Sequence, residues 1–466
     1  MKSIITLFFL FSAMIFGNQV HAQITGTWQG MLQVQGTEIP LVFHITKDGE
    51  IYMGTMDSPN QGAMGIKLDS VNFEHDSLSV FYKASGGIKY KGELKDTLIN
   101  GTYSQGNFSF PLQLKKISDS SKVALIRPQE PKPPFPYTIE DVSFKNSESN
   151  LKIAGTLTLP PNSKNPPIAV MITGSGQEDR NEELFGHKPF WVIADYFARN
   201  GIGVLRDDDR GIGGSESGDL THVTSADFAT DVHAAIDFLQ TKGYTNVGLI
   251  GHSEGGMIAP MVASQRNDVK FIIMLAGPGV SGDSILTEQA YLGAKAEGVS
   301  ENIAASNASF LRKTIEFIKN YNSDSLYAAV GNYMDTAVLR QPMFGSLSQS
   351  QRESIKVQQA KTLTNPWTLY FIKYNPAPAL EKTQCPVLAL NGTLDMQVPC
   401  KENLNAIEKA LKKGGNQHYK IMPMEGLNHL FQHAKTGGGS EYGKIAETIS
   451  PQVLEIMKDW ILQNYK

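Results

Sequence analysis

The stretch Asn246-Val247-Gly248-Leu249-Ile250-Gly251-His252-Ser253-Glu254-Gly255-Gly256 limits what this chain can fold into more than any other. Its apolar start reads as a buried strand, its glycine-rich centre as a tight turn, and Met257, Ile258, Ala259 and Val262 as a helix beginning. The turn has the pattern Gly-x-Ser-x-Gly. In such a strand-to-helix elbow the serine sits on a strained turn, and Gly251 and Gly255 let the chain pass close to itself. The hydroxyl is then presented at a helix N-terminus, where unpaired N–H groups face incoming negative charge. A glycine-rich turn with a capping serine gives the same local string, so the surroundings must decide.

From residue 137 onward, apolar β-rich runs at 168–172, 202–205, 247–250, 271–275, 387–390 and 419–422 alternate with helical patterns at 189–199, 226–241, 254–265, 401–413 and 451–464. That alternation predicts an α/β fold with a parallel sheet covered on both faces. Two amphipathic strands, around Val142 and over 152–159, come before it. Between 281 and 381 the alternation gives way to helix-forming sequence, which predicts a helical lid inserted over the C-terminal edge of the sheet. Trp367, Tyr370, Phe371 and Tyr374 near its end either line a pocket or pack against the body.

A serine hydroxyl needs a base within hydrogen-bond reach, and the base needs a group that fixes its tautomer. Ligands of an open parallel sheet bind at the C-terminal ends of its strands. Asp395 follows the run 387–390 and His429 follows the run 419–422, and the order Ser253, Asp395, His429 is that of an α/β-hydrolase triad. The oxyanion requires two N–H donors. The expected pair is the backbone of Glu254 and that of Gln177, in a loop where Gly174 and Gly176 permit close approach. That loop lacks the Gly-Lys-Ser/Thr of a phosphate loop. The run Asp207-Asp208-Asp209 has no further carboxylates at calcium-loop spacing and is read as fixing its own loop through Arg206 or Arg210. No metal and no cofactor are expected. Glu254 would place a negative charge beside the oxyanion. Arg180, on the oxyanion loop, is its expected neutralising partner, with Arg206 and Arg210 in reserve.

Gly174-Ser175-Gly176 with Asp179-Arg180, Lys188-Pro189-Phe190, Asp208-Asp209-Arg210-Gly211, the elbow itself, Asp395-Met396-Gln397-Val398-Pro399 and Asn428-His429 together resemble the α/β-hydrolase superfamily over residues 138–466. Within it they are similar to secreted bacterial esterases grouped with serine-aminopeptidase-like and prolyl-oligopeptidase-like hydrolases. The resemblance implies Ser253 as nucleophile, His429 as base and Asp395 as orienting acid, acting on a small-molecule ester through an acyl-enzyme. The compact insertion lacks a long apolar face and favours short acyl chains. Glu254 departs from the aromatic residue that follows the serine in prolyl-oligopeptidase-type enzymes, and residues 24–116 are too few for their propeller. An aminopeptidase or amidase stays open, with Glu178, Asp179 or Glu254 anchoring an amine. So does an inert glycan-binding protein, against which the intact triad argues.

The N-terminal quarter reads differently. Lys2, the apolar run 4–16 and Val20-His21-Ala22 form a cleavable export signal over residues 1–22, which predicts a secreted or periplasmic protein. The run is shorter than the ~20 residues that cross a bilayer, so no stable membrane insertion is expected. Residues 23–116 carry short alternating runs separated by turn signals and predict a small all-β barrel or sandwich. His44 and His75 there lack partners at metal-ligand spacing. A glycan contact is one role this domain leaves open. Residues 117–137 end in a proline-rich run and predict a semi-rigid extended linker. With 42 Lys and Arg against 46 Asp and Glu, the net charge of −4 argues against nucleic acid as partner. Cys385 and Cys400 flank a strand, too far apart to bridge, and are read as free and buried.

Overall fold

The computed structural model describes residues 24–464, apart from 35–36, 59–62, 84–86, 107, 118–126, 162, 324, 340–344 and 346. The export signal and the first half of the linker therefore lie outside the described residues. The chain divides into two compact units, one built on the N-terminal sheet and one containing Ser121–Lys466.

In the first unit β1 (Gly26–Val34), β2 (Thr37–Asp48), β3 (Ile51–Ser58), β4 (Ala63–Lys67), β5 (Ser70–Glu74), β6 (Ser77–Tyr82), β7 (Ile88–Lys95), β8 (Leu98–Gln105) and β9 (Phe108–Ile117) form one sheet. Its order is β4-β3-β2-β1-β9-β8-β7-β6-β5. Strict alternation along β7 buries Ile88, Tyr90 and Leu94 and exposes the lysines and Glu93 between them. The sheet curls until Leu68 N–H, just before β5, donates to Gly54 O of β3 at 3.0 Å. Trp28, Phe43, Tyr90 and Leu114 fill the concave side. The expected barrel or sandwich is thus a half-barrel made of one layer. Strand twist accumulated over nine strands curves a single sheet enough to enclose a core.

In the second unit β10 (Thr138–Lys145), β11 (Lys152–Leu159), β12 (Ile168–Ile172), β13 (Gly203–Asp207), β14 (Val247–His252), β15 (Ile272–Leu275), β16 (Val387–Gly392) and β17 (Tyr419–Met424) run in the order β10-β11-β13-β12-β14-β15-β16-β17. β10 and β11 pair antiparallel, and the strands from β12 to β17 pair parallel. Side chains of α2 (Ser225–Thr241), α3 (Glu254–Ala263) and α10 (Cys400–Lys413) pack into one core beside the sheet; those of α1 (Pro189–Arg199) and α12 (Pro451–Asn464) pack into another. This is the α/β-hydrolase fold.

Among the described residues six α-helices and a π-helical turn (Met334–Val338) separate β15 from β16: α4 (Gly282–Ala296), α5 (Glu301–Asn320), α6 (Leu326–Tyr333), α7 (Gln349–Leu363), α8 (Pro366–Lys373) and α9 (Ala377–Lys382). They occupy the span expected for the insertion and have a core of their own around Ile315, Ile318, Val330, Leu363 and Ile372. The second half of the expected linker is not a free tether. Arg127 donates to the backbone carbonyls of Phe185, Gly186, Gly443 and Ile445, and Gln129 donates to that of Ile449. Proline has no backbone N–H to donate, and the Arg127 guanidinium supplies the donors that tie this run to the loop carbonyls.

Candidate active site

Ser253 joins β14 to α3 with φ 53° and ψ −118°. An L-residue held there costs about 1–3 kcal/mol, so the surroundings must over-determine it. Ser253 N–H donates to Leu275 O at 2.8 Å, and Ser253 O accepts from Gly256 N–H at 2.9 Å. The flanking glycines are obligatory. A Cβ at Gly251 would lie 1.9 Å from Gly255 O, and one at Gly255 would lie 2.2 Å from Ile172 O.

His429 follows β17 on a loop shaped by buried Asn428, whose Oδ1 accepts from the N–H groups of Leu430 and Gln432. Its Nδ1 lies 2.8 Å from Asp395 Oδ2. Asp395 follows β16, and its Oδ1 accepts from the N–H groups of Gln397 and Val398, both at 2.8 Å. A carboxylate that accepts on both oxygens makes Nδ1 the protonated nitrogen and leaves Nε2 free to take a proton. Ser253 and His429 line the same cavity, of about 340 Å³, together with Gly174 and Ser175. Ile285, Leu286 and Gln289 of α4 and Trp367 and Phe371 of α8 complete its wall.

Four expectations about this site need correction. Gln177 is exposed, its side chain donates to Arg210 O at 2.8 Å, and it does not line the cavity. Gly174 and Ser175 are the loop residues beside the nucleophile; a Cβ at Gly174 would lie 3.4 Å from that of Ser253. Gly176, with φ 122° and open space around it, turns the loop and does not serve close approach. Arg180 does not meet Glu254. It donates to Asp208 through Nε and Nη2 at 3.0 and 2.6 Å, and to Thr156 and Asp141 through Nη1. The reserves are engaged as well, Arg206 by Asn181 and Arg210 by Asp231. Of the aspartate run, Asp208 is held by Arg180, and Asp209 by Thr173 Oγ1 and the Glu178 N–H, not by Arg206 or Arg210.

Glu254 is 1% exposed and takes neutral donors in their place. Ser225 Oγ–H lies 2.5 Å from Oε1, and Trp367 Nε1–H lies 2.9 and 3.0 Å from the two oxygens. Burial pushes its carboxyl above the ordinary value, against the opposing effect of the Ser225, Trp367 and Ser175 hydrogen bonds. Burial and neutral donors, not an arginine, thus temper the charge beside the elbow. Burial also raises Glu178 well above its usual range, helped by Glu182, Asp209, Asp179 and Glu254 nearby.

Sequence reasoning missed Ser175 and Ser225 as site residues. Ser225 reads only as a helix start. Of the four aromatics, Trp367 and Phe371 stack at 5.1 Å on the cavity, whereas Tyr370 and Tyr374 pack against the main core. Cys385 and Cys400 are free as expected, but only part-buried. Among the described residues no cluster of His, Cys, Asp and Glu is arranged to hold a metal ion, and no helix is long and apolar enough to cross a membrane.

The family of serine aminopeptidases S33 matches residues 190–338, from α1 through the elbow into the insertion. The esterase EstD of Thermotoga maritima is 26% identical over 301 residues, which span 64% of this chain and 62% of that protein. An acyl transferase of Photorhabdus luminescens is 29% identical over 130 residues, 28% of this chain and 40% of the relative. The alignments thus cover less than two thirds of either relative. Among solved structures, a Pyrococcus furiosus esterase has 13% identity and a TM-score of 0.43, covering 71% of this chain and 92% of its own. Est1E of Butyrivibrio proteoclasticus, solved with ferulic acid bound, has 19% identity and a TM-score of 0.41, covering 69% and 98%.

Proposed function

We propose that this α/β-hydrolase is a serine hydrolase of carboxylic esters with Ser253, His429 and Asp395 as its triad. The observation that carries the reading is the 2.8 Å contact of His429 with Asp395 on the same cavity as a strained serine. Ser253 Oγ attacks the ester carbonyl while His429 Nε2 takes its proton, and Asp395 keeps the imidazole in the required tautomer. The oxyanion meets the N–H groups of Ser175 and Glu254. Gly174 N–H is not free for this, since it donates to Glu182 Oε1 at 2.9 Å. His429 then protonates the departing alcohol, and water activated by the same ring releases the acid from the acyl-enzyme.

The insertion acts as the lid of this site through α4 and α8. A cavity of about 340 Å³ closed by Ile285, Leu286 and Phe371 favours acetyl to butyryl esters over long acyl chains. The export signal read from residues 1–22 places the reaction outside the cytoplasm. The test is hydrolysis of p-nitrophenyl esters of graded length, together with a fluorophosphonate that should label Ser253 and leave Ser253→Ala unlabelled. Faster turnover of twelve-carbon than of acetyl esters contradicts the acyl preference, and labelling elsewhere contradicts the triad.

One observation favours a second reading, cleavage of an amide next to a free amine. Glu178 lines the cavity with a buried Oε2 that has no hydrogen-bond partner among the described residues, and no Lys or Arg joins the lining. Aminoacyl p-nitroanilides turned over faster than the esters would select that reading.

A further inference from the structure

Behind the proposed triad lies a second histidine–carboxylate pair that the reaction does not use. His252 ends β14, one residue before the nucleophile, and is 4% exposed; Glu182 is 1% exposed. His252 Nδ1 lies 2.8 Å from Glu182 Oε1, and Nε2 lies 3.0 Å from the backbone oxygen of His429. The same Glu182 Oε1 accepts the Gly174 N–H. A backbone carbonyl only accepts, so Nε2 carries a hydrogen. A carboxylate oxygen already accepting from Gly174 leaves Nδ1 to donate as well, which makes the ring an imidazolium. Burial by itself would strip that proton. Charge and hydrogen bonding from Glu182 outweigh it, and the His252 value is raised. Glu182 holds this contact from a left-handed backbone, φ 51°, which a glutamate adopts only when its surroundings impose it.

We infer that Glu182 and His252 are a positioning pair that ties together the three loops of the proposed active site. Glu182 fixes the oxyanion loop through Gly174. His252 carries the nucleophile as its chain neighbour. Its Nε2–H fixes the peptide of His429, whose ring lies 4.8 Å from its own between centroids. His252 reaches the cavity wall, but both of its ring nitrogens are engaged by Glu182 and the His429 peptide, so the pair acts by setting where Ser175, Ser253 and His429 stand relative to one another. A shift of about 1 Å in such a constellation costs on the order of a hundredfold in rate.

The inference rests on the triad reading, and the experiment separates the two. Glu182→Ala should lower kcat on p-nitrophenyl acetate about 10- to 100-fold, with KM changed less than about threefold. It should slow fluorophosphonate labelling of Ser253 by a similar factor. In Glu182→Gln the amide oxygen at the Oε1 position accepts from Gly174 N–H and from Nδ1–H of a neutral ring, which leaves Nε2 without a hydrogen for His429 O, so this variant should recover only part of that loss. Glu182→Asp falls short of both partners and should recover none of it. In ¹⁵N-histidine spectra His252 should carry two ring protons from pH 6 to pH 8 in the wild type and one in Glu182→Gln. A folded Glu182→Ala with wild-type kcat and labelling rate overturns the inference. So does a singly protonated His252 in the wild type, or a Gln variant no better than Ala. If Ala fails to fold, the Gln and Asp variants decide by the same readouts. If the wild type hydrolyses no ester, the ester reading fails. The labelling rates and the spectra then still judge the pair.

Discussion

In the N-terminal sheet Thr27 Oγ1 lies 3.2 Å from His44 Nδ1, and His44 Nε2 lies 2.7 Å from Asp57 Oδ2. In the hydrolase unit His429 Nδ1 lies 2.8 Å from Asp395 Oδ2, and Ser253 stands on the same cavity. Both series are hydroxyl, imidazole and carboxylate, yet they sit in different backbones. Thr27, His44 and Asp57 lie inside regular strands, with Thr27 directly opposite His44 in the β1–β2 ladder. Thr27 is 5% exposed, and Asp57 Oδ1 accepts from Gly65 N–H, so the series and that bond staple β1 to β4 together. Ser253 instead crowns a turn with φ 53° at the head of a helix, next to two loops that can present N–H groups. The contrast teaches that the residue series is not the chemistry. A strained presentation and an adjoining cavity are what the second site adds.

The comparison breaks first at the hydroxyls. Ser253→Ala should lower kcat on p-nitrophenyl acetate by roughly 10⁶, whereas Thr27→Ala should leave it within about twofold. Comparable losses would mean that the sheet takes part in catalysis.

At the carboxylates the expected gap is smaller. Asp395→Asn should cost about 10⁴ in kcat by favouring the wrong tautomer. Asp57→Asn should leave kcat alone and lower stability by about 1–3 kcal/mol, read from denaturant midpoints. A catalytic defect in Asp57→Asn would erase the distinction.

Arg180→Ala measures what a buried ion pair does next to the site. Asp208 is 3% exposed and would lose its cation, a destabilisation on the order of 3 kcal/mol. Unchanged thermal stability would show that Asp208 is protonated or otherwise satisfied.

The hydrolase unit should also show a pH signature. Burial pushes the Asp209 carboxyl from 3.8 up to about 7. The unfolded chain therefore gives up this proton first. Stability from protonated Asp209 is full below about pH 4 and is lost as pH rises to about 7. Asp209→Asn should raise the thermal midpoint more at pH 8 than at pH 5. An equal effect at both would refute the shift.

The smallest effect tests the half-barrel itself. A chain starting at Ser121 keeps Arg127 and Gln129 and should retain most of its turnover on a small ester. One starting at Pro134 loses their hydrogen bonds to the loops at 185–186 and 443–449 and should be less stable. If the Ser121 chain folds but is inactive, the sheet completes the site.

The strands and helices of the second unit were legible because each rests on local pattern. The run 168–172 is β12 to the residue, and α1 and α12 begin and end where their patterns do. The elbow was legible for the same reason, since Gly251 and Gly255 leave the turn no other course. The oxyanion loop was not. Sequence places Gly174 to Gln177 past a strand, but which of them reaches Ser253 depends on how that loop rests on the elbow. The all-β domain was legible from its alternation, but alternation marks a face to bury, not the number of layers that bury it, so the single curled layer was not.

The sequence by itself determined the order of the elements, the serine at the turn, and an aspartate and a histidine each stationed after a strand. These follow from periodicity and from glycine positions, which act over a few residues. Only the tertiary structure decided how the charges are paired. Arg180 went to Asp208, while Glu254 received Ser225 and Trp367, separated from it by 29 and 113 residues. It also brought Glu182 to His252 across 70 residues, and His252 to the peptide of His429 across 177. The reason is that a buried carboxylate needs donors within about 3 Å, whichever segment supplies them, and packing of the whole unit chooses that segment.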